Sequence, residues 1–164
     1  MNRVVIPLIL LVLFSCGETE KLFFHIENSD VVESAMLDNK FTIFCYVDSV
    51  DCNPCVMYWL HRWTHFEDEL KKMKAGIILI VRRSDKEEVH DLMIHLRLNF
   101  PVIFDGSSII KHDNEAILNR YSVFVVNRKK EVVWLGVPIE SRASWNLFCK
   151  TLRWHRIRNF YRVD

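Results

Sequence analysis

Glycine is scarce in this chain, with four residues in 164. So few leave little material for a glycine-rich phosphate-binding loop, and none can be traced. No apolar run approaches the roughly 20 residues of a bilayer-spanning helix; the one over residues 4–14 is about 11 long. Charge of one sign is not in excess either. Lys and Arg total 22 against 21 Asp and Glu, which argues against general nucleic-acid binding. There is no internal repeat, no low-complexity tract and no identifiable Ser/His/Asp arrangement. What the chain does have is 50% hydrophobic residues, enough for the sizeable core of a folded domain.

The start of the chain has its own grammar. Met1-Asn2-Arg3 is basic, residues 4–14 are uncharged, and Ser15-Cys16-Gly17 follows. This is the pattern of a secretory signal. Leu13-Phe14-Ser15-Cys16 further resembles the lipobox of bacterial lipoproteins, which implies cleavage before Cys16 and a lipid on that cysteine. A signal cut elsewhere, with Cys16 an ordinary thiol or discarded, is the alternative. On the lipoprotein reading residues 1–15 are the signal, 16–21 a polar tether, and 22–164 the folded domain. Removing the signal leaves about 149 residues, a size that suits one domain. Arg3 leaves with the signal, so the 22 basic residues fall to 21 and match the 21 acidic ones.

Export changes the meaning of the cysteines. Cys52-Asn53-Pro54-Cys55 stands between a strand-like run and a long amphipathic helix. In an oxidising compartment such a pair is a disulfide candidate before it is a metal clip. The run 41–47 is apolar on both sides: Phe41, Ile43, Cys45 and Val47 point one way, Phe44 and Tyr46 the other. That suits a central, doubly covered strand. A helix is expected over 54–73, its stripe Cys55, Trp59, Trp63, Phe66, Leu70 and Met73, with Gly76 as its stop. Residues 22–26 read as a first strand and 30–37 as a short helix. A buried parallel strand is expected over 77–81, then a helix opened by the capping box from Ser84 to Glu87. Further strands are expected at 100–104, 122–126 and 132–135, the last two forming a hairpin. Residues 113–119 read as helical, and a last helix opens near Ser141 with Trp145, Phe148, Cys149 and Leu152 inward.

This order, with C-N-P-C after a strand and the 124–136 hairpin before a final helix, resembles the thioredoxin-like family. The likeness is greatest to its exported, membrane-anchored branch that serves disulfide reduction and cytochrome maturation, and it covers roughly 41–152. It implies an α/β, thioredoxin-like fold: a central mixed β-sheet with helices on both faces. It also implies thiol–disulfide exchange at Cys52 and Cys55 without a cofactor. Clients would be disulfides or thiols of exported proteins, and electrons would come from a membrane reductase. Cys52 precedes the first helical turn, where it is exposed to free N–H groups and partial positive charge, so it is the expected nucleophile. Cys55 shares the apolar stripe and is the expected resolving thiol. Pro54 suits the first turn of a helix because its missing N–H is not needed there.

Two positions depart from the family. Asp51 stands where tryptophan is usual, and its negative charge disfavours a thiolate, so a more reducing pair is expected. The family's cis-proline position, just before the strand that opens the hairpin, aligns with Tyr121. Pro101, before a similar strand, is the competing alignment. These departures keep a rival open: a non-catalytic, thioredoxin-like binding module of the bacterial cell envelope.

Other constellations are weaker. His61 lies about 13 Å along the helix from Cys52, whereas zinc ligands sit about 2.0–2.3 Å from the ion. His61 and His65 also oppose the stripe of Cys55, so they read as a solvated face and no metal is assigned. Copper on Cys52 and Cys55 is the remaining metal reading, although copper chaperones of this fold resemble C-x-x-x-C. A peroxidase reading fits worse, since that family's motif has proline and threonine before its cysteine, and Ser49 and Val50 stand nearby instead. Cys45 and Cys149 read as small core residues. The C-terminal segment 150–164 mixes basic and aromatic residues, as a terminal helix with a solvated basic side or one lying on an anionic membrane.

Overall fold

The computed structural model describes residues 21–26, 30–48, 59–82 and 86–160. Within them, five strands form one sheet in the order β3-β2-β1-β4-β5. Strand β1 is Phe41–Val47, β2 is Ala75–Val81 and β3 is Val102–Phe104. These three are mutually parallel. Strands β4 (Val123–Asn127) and β5 (Val132–Leu135) are a hairpin whose first strand pairs antiparallel with β1. Hence β1 is central, as its two apolar faces require.

Those faces feed two cores. Ile43 and Cys45 join Trp63, Leu70, Val89, Phe148 and Leu152 on one side. Phe44 and Tyr46 join Phe24, Val32, Ile117 and Phe124 on the other. Burying each large apolar side chain stabilises the fold by about 1.5–3 kcal/mol. The helices follow the split. The first face is covered by α2 (Glu67–Met73), α3 (Lys86–His95) and α6 (Arg142–Phe160). On the second face lie α1 (Asp30–Asp38), α4 (Ile109–Asp113) and α5 (Glu115–Leu118).

Several expectations need correction. Residues 22–26 do not form a strand: Phe23 makes a single bridge to Glu131. Two residues on, buried Asn114 captures the backbone of His25, accepting from its N–H at 2.7 Å and donating to its carbonyl at 2.6 Å. Phe24 is still anchored, because its ring lies 4.6 Å from that of Phe44 and 4.8 Å from that of Phe124. The long helix is not uniform; residues 59–61 are helical, Arg62–Phe66 is a 3-10 segment, and α2 follows. Gly76 does not stop it. Lys74, left-handed at φ 55°, is the C-cap, and Gly76 lies inside β2. Glycine is needed there for space, since a Cβ would come 2.4 Å from Asn39 Nδ2. The third parallel strand is shorter than 100–104, and the helix expected over 113–119 is divided into α4 and α5 at Asn114. The Ser84 capping box falls outside the described residues. The last helix behaves as expected: Ser141 Oγ accepts the N–H of Ser144, and Phe148 and Leu152 are buried.

Candidate functional site

Cys52 and Cys55, with Asp51, Asn53 and Pro54, lie outside the described residues, as does Cys16. What surrounds their point of attachment is described. The chain leaves β1 at its carboxyl end, through Val47 and Asp48, and re-enters at Trp59 on the stripe that continues through Trp63. The Trp59 and Trp63 rings meet edge to face at 6.1 Å. The carboxyl ends of parallel strands are where open α/β sheets bind their ligands, because the crossover loops diverge there.

Register shows which other residues share that end. Val123 pairs with Cys45, and Tyr46 N–H donates to Ser122 O at 2.7 Å. Tyr121, one residue earlier and exposed, therefore sits beside the departure of β1. Pro101 is elsewhere: its carbonyl accepts from Leu79 N–H where β3 begins, toward the amino end of the sheet. No cis peptide bond occurs among the described residues, so the backbone through Tyr121 is trans.

A polar network fills the same carboxyl end. Asp48 receives Arg82 Nη1 at 2.7 Å on one oxygen and Lys111 Nζ on the other. Arg82 follows β2 directly, and its Nε donates to Ser108 Oγ at 2.8 Å. The bonds from Lys111 and then Arg82 hold the Asp48 carboxyl below its ordinary value. Beneath them, buried Asp105 accepts the N–H groups of Ile110 and Lys111, both at 3.1 Å. Tyr46 Oη donates to the same carboxylate at 2.9 Å. Burial, reinforced by that bond, pushes the Tyr46 hydroxyl up, so it stays protonated and a donor. Asp105 thus fixes the first turn of α4, α4 presents Lys111, and Lys111 with Arg82 clamps Asp48 four residues before Cys52.

Sequence reading passed over Arg82 and Lys111. The usable signal was positional: Asp48, Arg82 and Asp105 each immediately follow a parallel strand. The remaining cysteines are chemically quiet. Cys45 is buried, and burial pushes its thiol far up, leaving almost no thiolate at neutral pH. Half-buried Cys149 is raised too, chiefly by desolvation. His61 Nδ1 lies 3.1 Å from Leu96 O, and the rings of His61 and His65 are 5.8 Å apart. Among the described residues no cluster of His, Cys, Asp or Glu could hold a metal ion.

Solved structures share this architecture at low sequence identity. The chain matches the peroxidoxin BcpB of Mycobacterium tuberculosis with a TM-score of 0.55 and 13% identity, over 74% of this chain and 83% of that one. It matches the bacterioferritin comigratory protein of Xanthomonas campestris, studied for alkyl peroxide reduction, at 0.53 and 18%, over 71% and 80%. A putative thiol:disulfide interchange protein DsbE from Chlorobium tepidum matches at 0.51 and 12%, over 74% and 84%. No family model and no curated protein matches. The fold is thioredoxin-like, with a central mixed sheet and helices on both faces.

Proposed function

We propose that this chain is a thiol–disulfide oxidoreductase that reduces disulfides in other exported proteins through Cys52 and Cys55. The observation that carries the reading is the position of C-N-P-C in the sequence. It begins five residues beyond Val47, the last of the central parallel strand of a thioredoxin-like fold, past the end where the loops diverge. Cys52 as thiolate attacks a client disulfide sulfur; a mixed disulfide forms and the first client thiolate leaves. Cys55, losing its proton, then attacks the Cys52 sulfur and expels the second client thiolate. The client gains two electrons and the Cys52–Cys55 disulfide is left. A membrane dithiol reductase returns the electrons. Asp51 favours this reducing direction by disfavouring the Cys52 thiolate. The leader supports export and lipid attachment at Cys16, on the periplasmic or cell-surface side of a bacterial envelope.

Tyr121 supports a second reading, a non-catalytic binding module of the envelope. It occupies the place beside the β1 exit where the resemblance leads one to expect a proline. One experiment divides the two. With Cys55→Ser, client proteins accumulate as mixed disulfides on Cys52, and the additional change Cys52→Ser abolishes them. No trapped species, with biological function intact in Cys52→Ser, selects the binding module.

A further inference from the structure

Helix α6 has two faces, and one of them is buried against the sheet. Phe148 and Leu152 are buried under the sheet, with Trp145 and Cys149 packed beside them. On the opposite side Leu147, Trp154 and Ile157 are 58%, 54% and 55% exposed. At 3.6 residues per turn these three fall within an arc of about 80°, with Lys150 inside it and Arg153 about 40° beyond its edge. An exposed apolar stripe on a helix already anchored by its other face is not explained by folding.

Charge on this helix is one-sided. Arg142, Lys150, Arg153, Arg156 and Arg158 lie in α6, which contains no Asp or Glu. Removing those five from the chain's 22 Lys and Arg leaves 17 against 21 acids, so positive charge is segregated onto this element. A convex helix face with a tryptophan, two large aliphatic residues and interleaved cations has the composition of an interfacial helix on anionic lipid. We infer that the outward face of α6 is a docking surface for an anionic membrane.

The direction of α6 is compatible with a working site. The Phe66 and Trp145 rings pack at 4.4 Å, and α6 then runs alongside α2, whose end leads into the start of β2. The Trp154–Ile157 end therefore lies away from the carboxyl end of the sheet, which stays open to clients while α6 rests on lipid.

The inference does not require a lipid on Cys16, and its test removes one. The mature chain, freed of residues 1–15 and carrying Cys16→Ser, is sedimented with vesicles of phosphatidylcholine alone or with 30% phosphatidylglycerol, roughly a physiological anionic content. Binding is expected only with the anionic lipid and is lost as salt rises toward 1 M, where the Debye length is about 3 Å. Lys150→Gln with Arg153→Gln weakens it by about 25-fold, from about fivefold per cation near the surface. Trp154→Ser weakens it at every salt concentration where wild-type binding is measurable. All these positions are exposed, so unchanged thermal unfolding shows that the fold survives. Equal binding to both vesicle types, or none to either, overturns the inference, including the case in which the face instead holds an acidic protein. Whether the wild-type chain fractionates with membranes in a Cys16-dependent way is a separate readout.

Discussion

At the carboxyl ends of β1, β2 and β3, Asp48, Arg82, Lys111, Asp105 and Tyr46 form one connected polar network. At the amino end of β1 the polar contacts are of another kind: Asn127, paired with Phe41, donates to Glu131, which takes Lys21, and Arg128 donates to the carbonyls of Leu37 and Asn39. A cavity of about 500 Å³ opens there, lined by Asn39, Leu70, Gly76, Phe100 and Pro101 among others. Among the described residues that line it there is no cysteine and no histidine, and the chain bearing the C-x-x-C leaves from the other end. This cavity and the departure of the C-x-x-C segment are thus separated by the length of the sheet. The amino end is shaped by packing, where Gly76 lets Asn39 approach and Asn39 Nδ2 closes α1 on Ala35 O at 2.9 Å. The carboxyl end is shaped by charge, which sets where the loops begin.

That contrast can be broken by substitution. The largest effect belongs to the carboxyl end: Cys52→Ser lowers the rate of reduction of a model disulfide by roughly 10³-fold or more, as removal of a nucleophile does. A loss below tenfold would detach the chemistry from that end. Next is the amino end, where Gly76→Ala costs about 1–3 kcal/mol in urea unfolding because Asn39 must move and release α1. Exchange activity per folded molecule stays unchanged, and an activity loss would mean that the two ends are coupled. Tyr46→Phe leaves buried Asp105 short of one donor and costs about 1–2 kcal/mol.

Asp48→Asn is the mildest. The carboxylate is 41% exposed, so at neutral pH its pairs contribute under about 1 kcal/mol. The pH dependence is more telling. The Asp48 pKa is lowered from 3.8 on folding, so its stabilisation is present above that value and is lost as pH falls through the depressed folded one. The variant should match the wild type near pH 2 and fall short of it above pH 5, by thermal unfolding at each pH. A constant gap across the range would mean that the carboxylate charge is not what clamps this end.

The central strand was legible because it is apolar on both faces, and β1 runs over the residues its pattern marks. The stripe from Trp59 to Met73 was legible too, since helical spacing survives a 3-10 interruption well enough to keep Trp63 and Leu70 inside. Residues 22–26 misled because alternating side chains cannot reveal that Asn114, 89 residues away, will take the hydrogen bonds of His25. Gly76 misled because its reason is a neighbour, Asn39, rather than its own backbone angle. Of the candidate site, sequence supplied the cysteines and Tyr121. The Asp48–Arg82–Lys111 clamp joins three chain segments, and no local pattern encodes such a meeting.

The most direct measurement is a redox titration of the full chain in glutathione buffers, with thiol alkylation reporting Cys52 and Cys55. A reducing exchange pair predicts one two-electron transition nearer to about −270 mV, the thioredoxin value, than to about −120 mV, that of a strong oxidant. No reversible couple involving Cys52 and Cys55, or a midpoint near −120 mV, would contradict it.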